Sequence, residues 1–169
     1  MKQLVLILFI GVVIVGFNSS KPIKFKPQQI DKEALLERHN YYRDKVGSPH
    51  LEWSDELEKV AQEWADHLAE RCKLEHSNSN YGENIYWSSV PGDTEFEVVD
   101  DWASEERYFN HKNPIYKKGM GMKYGHYTQI IWSETTHLGG AKQICPNGGE
   151  IWVCIYDPIG NWVGERVYK

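Results

Sequence analysis

Apolar side chains recur at helical spacing most clearly in the stretch that begins at Ser54 or Asp55. Acidic residues occupy its first turn, where a helix dipole favours negative charge. The apolar positions then follow at steps of three and four residues: Leu57, Val60, Ala61, Trp64, Ala65, Leu68 and Cys72. This pattern predicts an amphipathic helix that buries one face in the core.

Two further helices are predicted from their start signals. Asp31 is a suitable N-cap for a helix that runs to about Lys45. Thr94–Glu97 has the form of a capping box and begins a helix that we expect to end near Phe109. A short helix is also expected between Tyr127 and Trp132.

Alternating positions predict a hairpin late in the chain. The runs 138–145 and 151–156 flank a Gly-rich turn, and helices followed by a late hairpin favour an α+β sandwich. If the strands pair about the centre of that turn, Cys145 lies opposite Cys154, and we expect a disulfide between them. Cys72 then has no partner, and a buried free thiol is favoured over an intermolecular bridge.

Two other stretches show no clear periodicity. Residues from Gly82 to Ile85 are expected to enter an irregular segment, and residues 110–123 are expected to form a long surface loop.

The N-terminus has the form of a secretory leader. A short basic start precedes an uncharged run from Leu4 to Phe17, which is too short to span a bilayer comfortably. An uncleaved membrane anchor is the competing interpretation. We therefore predict a signal peptide over 1–20, an extended lead-in over 21–29 and one domain over 30–169, secreted, or periplasmic if the source is bacterial.

Length and charge narrow the classes of partner. A chain of 169 residues suits one compact domain, and its oligomeric state is open. The formal net charge of -5 argues against a nucleic-acid partner, which requires a basic face. No block of Lys or Arg in the sequence is dense enough to predict binding to anionic lipid.

Four side chains are candidates for a polar cleft. Glu105 falls on the same helical face as Val98, Trp102 and Phe109, so its carboxylate must be paired or must line a wet cleft. Together with His76, Glu83 and His126 it offers the ligand types that suit a divalent metal such as zinc. The simpler interpretations are a surface histidine at position 76 and a packed core ring at position 126.

The runs Gly125–Trp132 and Cys154–Trp162 resemble the two signature stretches of the CAP superfamily of cysteine-rich secretory, antigen 5 and pathogenesis-related 1 proteins. The resemblance extends from His39 to Trp162. It implies a three-layer α-β-α sandwich and a cleft lined by a His/Glu/Glu/His tetrad, which falls here on His76, Glu83, Glu105 and His126.

The chain departs from the family pattern in three places. Ile155 stands where the family usually has a polar residue, and the extended cysteine set of the plant members is missing, which implies a looser loop. Val167-Tyr168-Lys169 replaces the Pro-Tyr end from which plant members release a signalling peptide.

The resemblance implies a secreted binding domain in a defence-like or host-interaction role. Its metal ligands would be His76 and His126, its cleft carboxylates Glu83 and Glu105, and its further ligand a sterol or fatty acyl group. One alternative is a metal-assisted peptidase or esterase. It is disfavoured because neither Gly-x-Ser-x-Gly nor His-Glu-x-x-His occurs, so no catalytic residue is assigned. The other is a tetrad that is purely structural, a hydrogen-bonded network without metal.

Overall fold

A computed structural model describes residues 25–169; the predicted signal peptide and the first part of the lead-in lie outside them. The helices are α1 (Lys32–Asp44), α2 (Asp55–Ala69), α3 (Glu95–Ala103) and α4 (Gly121–Ile130), and a 3₁₀ helix, Ser104–Tyr108, continues α3. The strands are β1 (Glu52–Trp53), β2 (Gly82–Ser88), β3 (His137–Ile144) and β4 (Glu150–Asp157). Among residues 25–169, no helix is long and apolar enough to cross a membrane.

The strands form one sheet in the order β1-β3-β4-β2. β4 pairs antiparallel with both β2 and β3, and β1 adds a short parallel edge to β3. Because β4 is central, its alternate side chains enter two different cores. Trp152 and Tyr156 pack beneath α1, α3 and α4, whereas Val153 and Ile155 pack against α2. This arrangement confirms the three-layer α-β-α sandwich in a single domain.

Helix starts follow the capping signals in the sequence. Asp31 accepts a hydrogen bond from the backbone of Ala34, and Ser54 accepts one from Leu57. The capping box of Thr94 and Glu97 is complete. These predictions are confirmed. The third helix tightens to 3₁₀ geometry after residue 103, and the fourth begins six residues earlier than predicted.

The segment after Tyr81 is a strand, not the irregular stretch predicted. β2 extends from Gly82 to Ser88 and pairs with β4 over its full length. Ile85 and Trp87 lie on one face of this strand, and Asn84 lies on the other. Asn84 is buried although it is polar. Burial in this strand therefore does not follow the alternation of apolar and polar residues from which a half-buried strand is predicted.

α2 lies directly against β3 at Gly139. A Cβ atom at this position would overlap the backbone of Leu57 and Glu58 at the start of α2. Only glycine allows this approach of helix backbone to sheet backbone. The spacing between the outer helix layer and the sheet is therefore set by the main chain itself.

The predicted disulfide between Cys145 and Cys154 is wrong. Cys72 and Cys145 form the bond, with Cα atoms 5.5 Å apart, and Cys154 is the free, buried thiol. The error lies in the register, because Ile144 faces Glu150 and Cys154 faces Gly140. Cys145 and Cys154 then lie in the two different cores, on opposite faces of the sheet. The loop after α2 is thus fastened to the end of β3.

Candidate functional site

β2 presents Glu83 to the loop that follows α2. The Glu83 carboxylate accepts a hydrogen bond from Nδ1 of His76 at 2.6 Å and further bonds from the backbone N–H of Ser77. The Glu83 side chain is 6% exposed and that of His76 is 63% exposed, so the imidazole lies outermost. The hydrogen bond that His76 donates to Glu83 raises the pKa of His76 above its ordinary value of 6.5.

A kink in α4 prepares the position of the second pair. Tyr124 has non-helical dihedral angles, so a new helical turn begins at Gly125 and its first backbone N–H groups lack partners within the helix. The Glu105 carboxylate accepts from the backbone N–H of His126 at 2.9 Å and from that of Tyr127 at 3.2 Å. It also accepts from Nδ1 of His126 at 2.8 Å. One carboxylate therefore caps this turn and orients the ring.

Packing holds the His126 ring from its other side. The indole of Trp102 stacks on it with a centroid distance of 6.2 Å, and Trp102 Nε1 donates to the carbonyl of Ile85 in β2. α3, α4 and β2 are thus joined next to the ring.

Asn84 is a site residue that the sequence reasoning missed. Its Nδ2 donates to the carbonyl of His126 and to the hydroxyl of Tyr156, each at 3.1 Å. The hydrogen bonds continue from Tyr156 to the buried His39. Nδ1 of His39 lies 2.8 Å from the carbonyl of Leu35 and therefore carries the proton, so Nε2 accepts a hydrogen bond from the Tyr156 hydroxyl. Burial lowers the pKa of His39 to about 4, so the ring is neutral. The only feature of the sequence that indicates a role for Asn84 in the site is its position next to Glu83.

The two histidines line one cavity of about 470 Å³. Glu83, Asn84, Tyr116, Met122 and Asn161 also line it, and its wall is more apolar than polar. Glu105 does not reach the cavity surface and acts on it through His126. The structure therefore brings all four predicted residues together as two His–Glu pairs, and three of the four line the cavity directly.

The donor set fits a metal held by two imidazoles. An ionised carboxylate only accepts hydrogen bonds, so in the neutral rings the proton lies on Nδ1 and Nε2 keeps its lone pair. No residue in the described part of the chain is hydrogen-bonded to Nε2 of His76 or of His126. Carboxylates that orient ligating histidines in this way are a regular feature of metal sites. Across residues 25–169, no three His, Cys, Asp or Glu side chains form a complete site.

Comparison with known proteins gives consistent matches over most of the chain. Residues 36–156 match the model of the cysteine-rich secretory protein family, CAP. Pathogenesis-related protein 1C of Nicotiana tabacum is 38% identical over 140 residues, which cover 83% of this chain and 82% of that protein. Pathogenesis-related protein PR-1 of Medicago truncatula is 37% identical over 168 residues, covering 98% and 94%.

Solved structures share the fold. The crystal structure of NaASP2 with Zn²⁺ has a TM-score of 0.72 and 26% identity, covering 85% of this chain and 87% of that one. The Hookworm Platelet Inhibitor has a TM-score of 0.70 at 23% identity, covering 85% and 79%, and this match supports the fold alone.

Proposed function

Because this chain belongs to the CAP (cysteine-rich secretory protein) family and is similar to the defence-related pathogenesis-related 1 proteins of plants, we propose that it is an exported, non-catalytic binding protein whose cleft holds a divalent metal ion and a lipid. Two imidazoles that line one cavity, with no hydrogen bond to either Nε2 from residues 25–169, carry the proposal. Zinc suits such nitrogen ligands, and NaASP2 has been crystallised with Zn²⁺.

Each residue of the tetrad has a distinct part in the metal site. His76 and His126 supply the two nitrogen ligands, and water or the bound molecule completes the coordination. Glu83 and Glu105 fix the tautomer and the ring orientation. The metal would supply a positive charge that attracts an anionic or carbonyl oxygen of a ligand in the cavity.

Zinc titration by calorimetry tests this assignment. We expect the wild-type protein to bind one Zn²⁺, and a His76→Ala/His126→Ala variant to bind it at least about a hundredfold more weakly, because both nitrogen ligands are lost. A His50→Ala/His137→Ala variant is the matched control, since both of these histidines are exposed and neither lines the cavity.

Equal zinc affinity in the wild-type and the His76/His126 variant contradicts the metal assignment. It supports instead the purely structural tetrad, for which there is a specific observation. Glu105 joins the 3₁₀ helix to α4 through three hydrogen bonds that its own carboxylate accepts.

The cavity volume and its apolar wall support a lipidic ligand. Ligand cavities commonly measure about 300–1,000 Å³, and a mainly apolar lining favours a sterol or an acyl chain. A Cβ atom at Gly125 would meet only Tyr116 and Asn161, at 3.8 and 4.0 Å, and both of these residues line the cavity. A larger side chain at position 125 therefore occupies ligand space.

We expect Gly125→Leu to weaken binding of a fluorescent fatty acid or sterol by at least about tenfold, because the added side chain fills part of the cavity. Fluorescence titration measures this effect. Glu63→Leu, which adds the same side chain on the exposed face of α2, is the control. Unchanged affinity in Gly125→Leu removes the lipid from this cavity.

A further inference from the structure

The stretch from Asn110 to Tyr124 is basic in a protein whose net charge is -5. It contains Lys112, Lys117, Lys118 and Lys123 and no acidic residue. All four lysines are exposed, and none forms an ion pair with any residue in the described range 25–169. These four lysines therefore give this segment a local excess of positive charge in an otherwise acidic molecule.

Exposed apolar side chains lie beside these lysines. Met122 is 96% exposed, Val163 60% and Trp162 54%. The two segments that carry them are joined, because Tyr116 N–H donates to the carbonyl of Glu165 and Gly164 N–H donates to that of Tyr116. We call Lys117, Lys118, Lys123, Met122, Trp162 and Val163 the basic rim.

The basic rim borders one side of the cavity. Met122 lines the cavity itself, as do Gly119, which follows Lys118, and Asn161, which precedes Trp162. A surface that covers the rim therefore also faces the cavity opening.

No block of Lys or Arg in the sequence is dense enough to predict an anionic lipid partner, but the fold places three lysines beside exposed apolar side chains. We propose that this basic rim docks on an anionic lipid bilayer. Lysines attract lipid headgroups, and single apolar side chains between them enter the boundary between headgroups and acyl chains. A protein partner instead favours a packed apolar centre with the charges at its edge. Here exposed apolar and cationic side chains lie next to each other, as in Met122-Lys123, which suits the bilayer boundary.

Co-sedimentation of the purified protein with vesicles tests the proposal. We expect binding to phosphatidylcholine vesicles that contain phosphatidylserine, weakening as salt is raised, and little binding to phosphatidylcholine alone. A Lys117→Gln/Lys118→Gln/Lys123→Gln variant should lose about a hundredfold in vesicle affinity, since each lysine near an anionic surface contributes about a factor of five.

Two controls separate a defined surface from overall charge and hydrophobicity. Lys26→Gln/Lys59→Gln/Lys73→Gln removes the same charge from exposed sites elsewhere and should bind vesicles as the wild type does. Met122→Ser should weaken binding, whereas Val90→Ser, at a residue that is 70% exposed and outside the rim, should not.

Equal loss in both lysine variants, retained binding in the rim variant, or equal binding to neutral vesicles would overturn the proposal. So would binding of a soluble acidic polypeptide in preference to vesicles. A chelator should leave vesicle binding unchanged, because the rim contains no residue of the proposed metal pair. Failure of zinc binding thus does not affect this test, whereas vesicle binding that disappears with the chelator would overturn it.

Discussion

Replacing Cys72 and Cys145 together by alanine is expected to lower the free energy of unfolding by about 4 kcal/mol. The bond joins residues 73 apart, so its loss releases a long loop and raises the conformational entropy of the unfolded chain. For a domain stabilised by about 5–15 kcal/mol, this is a large fraction of the total. Urea denaturation followed by tryptophan fluorescence measures the change.

Cys154→Ala is the control for this prediction. Cys154 is free and fully buried, so its substitution should cost about 1 kcal/mol through lost packing and should leave the disulfide intact. Burial raises the pKa of the Cys154 thiol, and we expect a thiol reagent to find one reactive group only after unfolding. If the Cys72→Ala/Cys145→Ala variant proved neutral and Cys154→Ala strongly destabilising, the assigned bond would be incorrect.

Arg43→Met is expected to destabilise the fold by about 4 kcal/mol or more, because it leaves several buried carbonyl groups without a donor. The guanidinium of Arg43 is fully buried and donates to the carbonyls of Pro49, Ile130, Trp132 and Thr135. Burial lowers its pKa to about 10, so it remains charged at neutral pH. The residue fastens the end of α1 to the chain between α4 and β3.

Arg38→Met on the same helix is the matched control. Arg38 pairs with Asp100 near the surface, where the two side chains are 22% and 42% exposed, so its loss should cost no more than about 1 kcal/mol. With an m-value of about 2 kcal/mol/M, Arg43→Met should lower the urea midpoint by about 2 M. Equal midpoints for the two variants would show that the carbonyl groups find other partners.

Local rules predicted the helices because their signals are local. Asp31, Ser54 and Thr94 each cap the helix that directly follows them, and the required hydrogen bonds span three residues. The disulfide prediction was wrong because the pairing of the cysteines depends on strand register, which is set by packing on both faces of β4. The turn lies at residues 145–149, so the residue opposite Cys154 is Gly140 and not Cys145.

The tetrad was identified through family resemblance, since its members lie on a loop, a strand, a 3₁₀ helix and a kinked helix. Periodicity correctly indicated that Glu105 needs a partner, but it did not identify His126. Asn84 was missed because its role depends on Tyr156 and His126, which are distant in sequence. Long-range pairing of this kind leaves no spacing that a single sequence reveals.

The absent side chain at Gly139 has a consequence for comparing homologues. The main chain of α2 rests on β3 there, and the disulfide ties the following loop to the end of the same strand. A homologue with a bulkier amino acid at the equivalent position must hold the start of this helix farther from the sheet, while the disulfide keeps the loop after the helix in place. The residue type at this one position therefore predicts the tilt of the outer helix against the sheet in another member of the family.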